Sequence, residues 1–427
     1  MAGRMRTGAA LATVLVAASC TGGGADTTVT MQIFGDPAET RAYQQLIDVF
    51  EDANPGVGIR LTVVGSQDDH MTKLTTAFSA GNPPDLFLIN YRRFAQLADR
   101  GVLEPLGPRL GRSPVLREGD LYQEAVEAFR FGGPLVCLPQ NISTPVVYYN
   151  EDLLNDAGLP PPPDDWTWDD LVTYAKAMTG EPGPNGIPEV RGLGFEPSLN
   201  RFAPFVWQAG GRIVDDQEEP TTMTLLEPEA IEALEYLTAL QHVHRVVPSL
   251  VEFESEEVES RFAAGRLGML IDSRRVTTSL RAVPDLDWDV APLPVHPVRR
   301  EQAVVLHSDA YCMAKASTVK DAAFRFVEFA LGPEGAPIIA RTGRTVPSLR
   351  SVAESPVFLD PTQPPARARA FLDQIPAIHR FPSLAIWNEV ESKTDPIIEE
   401  WFLGQEPTQF LGLEVDLATL QVLRAGT

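Results

Sequence analysis

The fold is decided by residues 29–64, which read VTMQIFGDPAETRAYQQLIDVFEDANPGVGIRLTVV. Val29 to Phe34 alternates apolar and polar side chains, which is typical of a β-strand, and a Gly-Asp-Pro turn follows it. Apolar residues then recur at helical spacing from Glu39 to Ala53, and Asn-Pro-Gly ends that helix. A second predicted strand, Ile59 to Val64, completes a β-α-β unit.

The same alternation continues beyond this unit. After a polar loop from Gly65 to Asp69, a second helix runs to Ala80, and Leu86 to Ile89 forms a continuous apolar run. Such a run is typical of a strand that is buried on both faces of a parallel sheet. A third predicted helix, Arg93 to Arg100, follows it. The repeated β-α order predicts a parallel sheet with helices on its faces, and therefore an α/β fold.

Further strands and helices are predicted along the rest of the chain. The predicted strands are Val146 to Tyr149, Leu267 to Ile271 and Val304 to Met313. The predicted helices are Asp169 to Met178, capped by Thr167, and Glu227 to Val243, Val258 to Ala264 and Leu384 to Leu403. The sequence contains no internal repeat and no glycine-rich phosphate loop.

The composition limits the class of protein. A chain of 427 residues is long enough for two or three domains, and 44% hydrophobic with 22% charged residues is typical of a globular protein. A formal net charge of −23 argues against a nucleic-acid partner, which requires a basic surface. Six scattered histidines and three cysteines lack the spacing of a metal site, so we expect neither metal nor cofactor. We expect Cys137 and Cys312 to be separate, buried side chains rather than a disulfide.

The first twenty residues are typical of an export signal. Arg4 and Arg6 precede an apolar run from Ala9 to Ala18, which is too short to span a bilayer. Small residues then lead into Cys20, and this order resembles the bacterial lipobox, in which the cysteine is lipidated. We therefore predict a signal peptide at residues 1–19, lipidation of Cys20 and a flexible tether over residues 20–28.

Several short motifs occur in an order that resembles a known family. They are Phe50 to Pro55 (FEDANP), Ala80 to Asp85 (AGNPPD), Val147 to Leu154 (VYYNEDLL), Phe262 to Met269 (FAAGRLGM) and Gly343 to Ser348 (GRTVPS). Over about residues 29–425 the chain resembles the extracellular solute-binding protein family 1, the group that includes maltose-binding protein.

The resemblance implies a two-lobed periplasmic-binding-protein-like fold of type II, with a hinge and a ligand cleft between the lobes. It places the N-terminal lobe at residues 29–139 and 302–347, and the C-terminal lobe at residues 140–301 and 348–427. The chain would then cross between lobes near Pro139, Gln302 and Pro347. Ligands of such folds bind at the carboxyl ends of the strands and are enclosed by hinge motion.

Polar residues that follow predicted strands are the candidate ligand-binding groups. A sugar needs carboxylates, amides or arginines for its hydroxyls, and aromatic rings for its apolar faces. From the first lobe the candidates are Asp36, Gln67, Asp69, Asn90, Tyr91 and Arg92. Asp36 is equally well explained as a helix cap.

The resemblance supplies the candidates in the second half of the chain. They are Asn200, Arg275, His307, Asp309 and Trp387. Asn200 and Arg275 stand where the family often has sugar-stacking aromatic residues, which implies a smaller or more polar ligand than maltodextrin. His307 and Asp309 match a loop near the cleft, whereas Trp387 matches a late stacking aromatic. Trp207 and Trp401 are expected in the core.

These residues favour a monomeric, lipid-anchored binding protein on the outer face of the cytoplasmic membrane. It would capture a mono- or oligosaccharide and deliver it to the permease subunits of an ABC importer, without catalysis. Three alternatives stay open. The main one is a binder of an anionic molecule, such as a glycerophosphodiester or a phosphorylated sugar, which the cationic side chains of Arg92, Arg274 and Arg275 would favour. Another is a secreted glycoside hydrolase, and the third is a lipoprotein that serves a sensor or adhesion partner. Because Asp36, Asp69 and Asp309 would surround the cleft with negative charge, we expect a neutral sugar.

Overall fold

Residues 27–184, 186–404 and 407–426 are described by the structure, which is a computed structural model. The predicted signal peptide and Cys20 lie outside these ranges. In the described part of the chain, no helix is both long and apolar enough to cross a membrane.

The N-terminal part of the chain forms the predicted β-α alternation. Its elements are β1 (Thr27–Phe34), α1 (Pro37–Ala53), β2 (Val57–Val64), α2 (Gln67–Ser79), β3 (Leu86–Asn90), α3 (Tyr91–Asp99), α4 (Gly107–Leu110), α5 (Gln123–Ala128) and β4 (Leu138–Pro139). The predicted loop from Gly65 to Asp69 is shorter than expected, because the Ser66 hydroxyl accepts a hydrogen bond from the Asp69 amide (3.1 Å) and so starts α2 at Gln67.

The middle of the chain contains the second group of elements. They are β5 (Val146–Asn150), α6 (Glu151–Asp156), α7 (Trp168–Met178), β6 (Arg191–Gly194), α8 (Leu199–Gln208), α9 (Pro228–His242), α10 (Leu250–Ser255), α11 (Val258–Ala263), β7 (Leu267–Asp272), α12 (Thr277–Arg281) and β8 (Trp288–Ala291). The predicted cap of α7 is confirmed: Thr167 accepts from the Asp170 amide, and Asp170 accepts from the Thr167 amide.

The last third returns to both earlier regions. Its elements are β9 (Val304–Val305), β10 (Asp309–Met313), α13 (Lys320–Leu331), α14 (Ala336–Ala340), α15 (Arg350–Ala353), α16 (Ala370–Asp373), β11 (Ile378–His379), α17 (Trp387–Leu403) and α18 (Thr408–Gly426). Short 3-10 helices occur at Glu118–Asp120, Arg274–Val276 and Ile375–Ala377. The single strand predicted from Val304 to Met313 is divided into β9 and β10, and α18 was not predicted.

Two main sheets organise these elements, as expected for a two-lobed α/β fold. The first sheet has the order β2-β1-β3-β10-β4, with β1 parallel to β2 and β3, and β10 antiparallel to β3. The second has the order β6-β7-β5-β8, in which β6 and β7 are parallel. A small parallel pair, β9 with β11, accompanies them. The chain passes from the first sheet to the second between Pro139 and Val146, and it returns between Ala291 and Asp309.

Cys137 and Cys312 form a disulfide, so the prediction of two separate buried side chains is wrong. Cys312 lies in β10, and Cys137 directly precedes β4, which pairs with β10. This pairing brings the two Cα atoms to 4.6 Å across a sequence separation of 175 residues. The cross-link follows from the order of the strands in the sheet, and the local sequence pattern does not reveal that order.

Candidate functional site

A cavity of about 310 Å³ lies between the two sheets, at the carboxyl ends of β1, β3, β6 and β7. This inner cavity is lined by Phe34, Glu39, Gln67, Asn90, Arg92, Asn141, Ser143, Glu196, Asn200, Arg201, Ser273, Arg274, Arg275, His307, Asp309, Arg344 and Thr345. Its volume is at the lower end of the range for small-molecule sites. Strand ends of α/β sheets are the usual place for such sites, because the loops that follow the strands meet there.

An amide and a carboxylate join the ends of β3 and β10 on one wall of the inner cavity. The Asn90 side-chain amide donates to Asp309 (3.0 Å), and the Asn141 amide donates to the other carboxylate oxygen (3.2 Å). The side-chain oxygen of Asn90, Oδ1, accepts a hydrogen bond from the Arg92 backbone amide (3.2 Å) and so caps α3. Burial raises the pKa of Asp309, and the two amide donors oppose that shift.

The segments that cross between the sheets meet at the same cavity. Ser143 and His307 exchange two backbone hydrogen bonds of 2.8 Å, and the Ile142 amide donates to the Val346 carbonyl (2.9 Å). Because Asn141 and Ser143 belong to one crossing and His307 to the other, a movement of the lobes would act directly on this part of the lining.

Arginines form the wall on the side of the second sheet. Asp272, at the end of β7, is buried and accepts from both Arg201 (2.7 Å) and Arg275 (2.7 Å). Arg275 also contacts Glu259 at 3.0 Å. Arg274 donates to the Gly343 carbonyl (2.6 Å), and its guanidinium lies over the rings of Phe358 and Phe371.

His307 lies where these arginines converge. Burial, together with the positive charges of Arg201, Arg92 and Arg275, lowers the pKa of His307 well below its ordinary value. The imidazole is therefore neutral near pH 7. Its Nε2 lies 2.9 Å from the side-chain amide nitrogen of Asn200, so this contact joins the second crossing segment to α8, which follows β6 of the second sheet. In a neutral imidazole one nitrogen donates a hydrogen bond and the other accepts one. Because the Asn200 NH2 group can only donate, Nε2 is the acceptor in this contact.

Glu39 and Arg344 form an ion pair on the opposite side of the lining. Arg344 Nε lies 2.8 Å from Glu39, and Arg344 Nη1 lies 2.7 Å from Asp36. Burial raises the pKa of Glu39 to about 7 against the opposing charge of Arg344, while Asp309 and Asp36 raise it further. Glu39 thus changes charge within the neutral pH range.

The structure brings seven of the eleven predicted ligand-binding residues into the inner cavity. They are Gln67, Asn90, Arg92, Asn200, Arg275, His307 and Asp309. Their contact with a ligand stays a prediction. The other four are placed elsewhere.

Asp36 and Asp69 do not line the inner cavity. Asp36 caps α1 by accepting from the amides of Ala38 (2.7 Å) and Glu39 (2.8 Å), in agreement with the helix-cap interpretation. Asp69 is exposed in the first turn of α2, where a carboxylate interacts favourably with the helix dipole. Of the three carboxylates on which we based the expectation of a neutral ligand, one, Asp309, lines the cavity.

Tyr91 and Trp387 are buried in the core instead of the cleft. Both are 0% exposed. The Tyr91 hydroxyl accepts from the Phe381 amide (3.4 Å), and the Trp387 ring stacks on Phe381 with centroids 5.3 Å apart. Trp387 also donates from Nε1 to Glu391 (3.2 Å). In this conformation neither face of the indole is available for a sugar, because α17 begins at Trp387 and directs that residue into the core.

Several lining residues were missed by the sequence reasoning. Arg201 is the neighbour of a predicted residue, and Asn141 and Ser143 fall in the predicted crossing after Pro139, so a local signal existed for these three. Glu39 lies in a predicted helix, and Arg344 lies in the GRTVPS motif, which supports the resemblance but did not indicate a ligand contact. The two meet only through the tertiary fold.

A larger outer groove of about 740 Å³ adjoins the inner cavity. The two share Arg92, Glu196 and Asn200, and the groove continues between α2, α3 and α17. The Arg92–Glu391 ion pair (2.7 Å) crosses from α3 to α17 at this boundary. Within the described ranges, no group of three histidine, cysteine, aspartate or glutamate side chains is arranged to hold a metal ion.

Comparison with known proteins agrees with this architecture. The sequence profile described as "Bacterial extracellular solute-binding protein" matches residues 35–337. The chain belongs to this family. Within the family, the solute-binding protein is 24% identical over 386 residues to a putative binding protein of Brucella abortus, with 90% of each chain covered.

Two other relatives have named ligands. The diacetylchitobiose binding protein DasA of Streptomyces coelicolor is 25% identical over 334 residues, which is 76% of this chain and 73% of the relative. The substrate-binding protein Lmo0181 of Listeria monocytogenes, solved in complex with cycloalternan, superposes with a TM-score of 0.82. It is 26% identical, and the match covers 92% of this chain and 98% of that one.

Proposed function

We propose that this solute-binding protein captures a carbohydrate outside the cell and delivers it to an ABC importer. The observation that carries the proposal is a set of buried polar atoms in the cavity lining without a partner in the protein. They are Asn200 Oδ1, Arg201 Nε, Arg274 Nη1 and Thr345 Oγ1, together with Glu39 Oε2, which has Arg344 Nε at 2.8 Å as an ion-pair partner but no hydrogen bond. Leaving such atoms unpaired costs about 1–3 kcal/mol each, so a ligand that is both donor and acceptor would be stabilised here. Sugar hydroxyls have both capacities.

The relatives support a carbohydrate as the class of ligand. Diacetylchitobiose and cycloalternan, named for the Streptomyces and Listeria proteins, are both oligosaccharides. The outer groove offers room for further sugar units beyond the inner cavity, and Thr72, Thr75 and Thr76 belong to its lining.

A thermal-shift screen across mono- and oligosaccharides tests this proposal. A cognate ligand at a hundredfold excess over Kd should stabilise the protein by about 2.7 kcal/mol. Asn200→Ala should weaken the response, because it removes both the unpaired oxygen and the contact with His307. Stabilisation by no carbohydrate would contradict the proposal.

Binding is proposed to proceed without catalysis, in keeping with a family of solute-binding proteins. Incubation of the purified protein with oligosaccharides should release no reducing ends. Sustained, enzyme-like release that survives removal of contaminating activity would favour the glycoside hydrolase alternative.

We further propose that the mature protein is a monomer anchored by lipid at Cys20. The proposal rests on the order of charged, apolar and small residues before Cys20. In its own host the protein should partition into detergent, and Cys20→Ala should release it to the medium. Membrane retention of that variant would contradict the anchor, and light scattering of the released variant tests the monomeric state.

A further inference from the structure

The inner cavity is rich in guanidinium groups and poor in aromatic rings. Five arginines line it, whereas Phe34 and His307 are the only rings among its described lining residues. Stacking on pyranose faces is therefore a small part of what this surface offers. Planar guanidinium forks are instead suited to groups with paired oxygen atoms, above all carboxylate and phosphate.

Two of the arginines share a single buried carboxylate. Asp272 is 3% exposed and accepts from Arg201 and Arg275, at 2.7 Å each. Arg201 is itself 5% exposed, and its Nε has no acceptor although the side chain lines the cavity. Arg275 has a second acid partner, Glu259, but this ion pair lies at the exposed rim. The buried end of the cluster thus has donors in excess of acceptors.

A third cation adds to this cluster from the other wall. Arg92 approaches His307 from α3, and the charges of Arg201, Arg92 and Arg275 all act on the buried imidazole. Arg92 has its own partner in Glu391 (2.7 Å). His307 is neutral and therefore adds no charge of either sign to this cluster of arginines.

The carboxylates of the inner cavity are engaged elsewhere, with one exception at its rim. Asp309 accepts from Asn90 and Asn141, and Glu39 is paired with Arg344. Glu196 is exposed and lies where the inner cavity meets the outer groove. Asp272 accepts from Nη2 of both Arg201 and Arg275, but it is not among the residues that line the cavity. An anionic group on the cavity side of these two arginines would therefore meet their remaining donors, while the acids of the lining occupy the opposite wall and the rim.

We propose that the carbohydrate bears a carboxylate or a phosphate, and that this group binds to Arg201 and Arg275 beside His307. The inference rests on the proposed carbohydrate function and narrows its ligand class. It also replaces the expectation of a neutral sugar, because Asp36 and Asp69 lie outside the cavity.

Matched ligands test the proposal. We would titrate neutral sugars, their uronic acids and their phosphate esters by calorimetry, for mono- and disaccharides, at low and at high ionic strength. An acidic sugar should bind more tightly than its neutral counterpart, and its affinity should fall as salt increases. The affinities of the uronic acids, compared with those of the phosphate esters, show whether the anionic group is a carboxylate or a phosphate.

Arg275 is the residue to change, since it is partly exposed and its loss leaves the buried Arg201–Asp272 pair intact. Arg275→Gln should weaken binding of the acidic sugar about tenfold to a hundredfold, the usual range for a charge-assisted contact. Arg275→Lys should restore part of the loss, because charge returns without the fork. Arg212→Gln, which removes an equally charged but exposed arginine paired with Glu227, should leave affinity unchanged.

The outcomes separate the two proposals. Tightest binding of a neutral sugar, independent of salt and of Arg275→Gln, would overturn the anionic inference and leave the carbohydrate function standing. Equal losses of affinity in Arg275→Gln and Arg212→Gln would show that only the net charge of the protein matters. That result would also overturn the anionic inference. Binding of no carbohydrate of either class would remove the proposed function, and the inference with it.

Discussion

At the scale of a single residue, Glu39 makes the stability of the ligand-free protein depend on pH. Its pKa is raised to about 7 by burial, against the opposing charge of Arg344, from an ordinary value of 4.5. Between these two values the folded state holds a proton that the unfolded state has lost. Stability therefore falls as pH rises through this window, by up to about 3 kcal/mol.

Glu39→Gln should remove this contribution, since Arg344 keeps Asp36 as an acid partner (2.7 Å). Urea denaturation of both proteins without ligand, near pH 5 and near pH 8, measures the difference. The free energy of unfolding of the variant should increase relative to that of the wild type as pH rises. Parallel pH profiles would show that the Glu39 pKa is not raised in the folded protein.

Trp387 is expected to act through packing and not through ligand contact. The indole is 0% exposed and stacks on Phe381. Trp387→Ala should cost about 3–5 kcal/mol of stability, as for other large core side chains, whereas Trp387→Phe should cost less. Thermal denaturation and ligand titration together check this. A normal Tm with much weaker ligand binding would return Trp387 to the binding site.

At the scale of secondary-structure elements, the sequence pattern predicted a helix correctly where residues within or beside that helix determine where it begins and ends. The helix from Pro228 to His242 and the cap of α7 at Thr167 follow from apolar spacing and from side-chain chemistry that acts within a few residues. The helix from Thr408 to Gly426 was missed, although it packs on α17 and α9.

Long-range pairing accounts for most of what the sequence did not reveal. The partners of β10 are β3 and β4, which lie far away in the chain, and this arrangement determines the Cys137–Cys312 cross-link. The same holds for Glu39 with Arg344 in the cavity lining. Asn90 and Arg92, at and just after the end of β3, were predictable because strand ends meet at one edge of a sheet, whereas Arg275 followed from the family resemblance.

The disulfide should stabilise the first sheet by restricting the unfolded chain. It closes a segment with a sequence separation of 175 residues, so its removal should cost about 2–5 kcal/mol. The double variant Cys137→Ala with Cys312→Ala, compared with the wild type in chemical denaturation, measures this cost. Reducing agent should lower the wild type to the level of the variant and leave the variant unchanged. Equal stability of all samples would indicate that the two cysteines are not joined in solution.

At the scale of the whole molecule, contacts across the cleft connect binding to closure. Asn200 reaches His307 at 2.9 Å, and Arg92 on α3 reaches Glu391 on α17 at 2.7 Å. The side chains of the ion pair are 16% and 7% exposed, and each charge is compensated mainly by the other, although Glu391 also accepts a hydrogen bond from Trp387 Nε1. Breaking one side of a buried pair is costly because the other charge stays unpaired.

Glu391→Ala should therefore favour an open form of the ligand-free protein, since opening would return Arg92 to water. Small-angle scattering should show a larger radius of gyration than for the free wild type, and saturating ligand should bring both to the same compact value. The apparent Kd should rise about tenfold to a thousandfold, because the fraction of closed, binding-competent protein is smaller. Glu389→Ala, which removes an exposed acid from the same helix, is the matched control and should change neither quantity. If Glu391→Ala and the wild type have the same radius of gyration without ligand, the ion pair does not hold the lobes together, and closure must depend on the ligand itself.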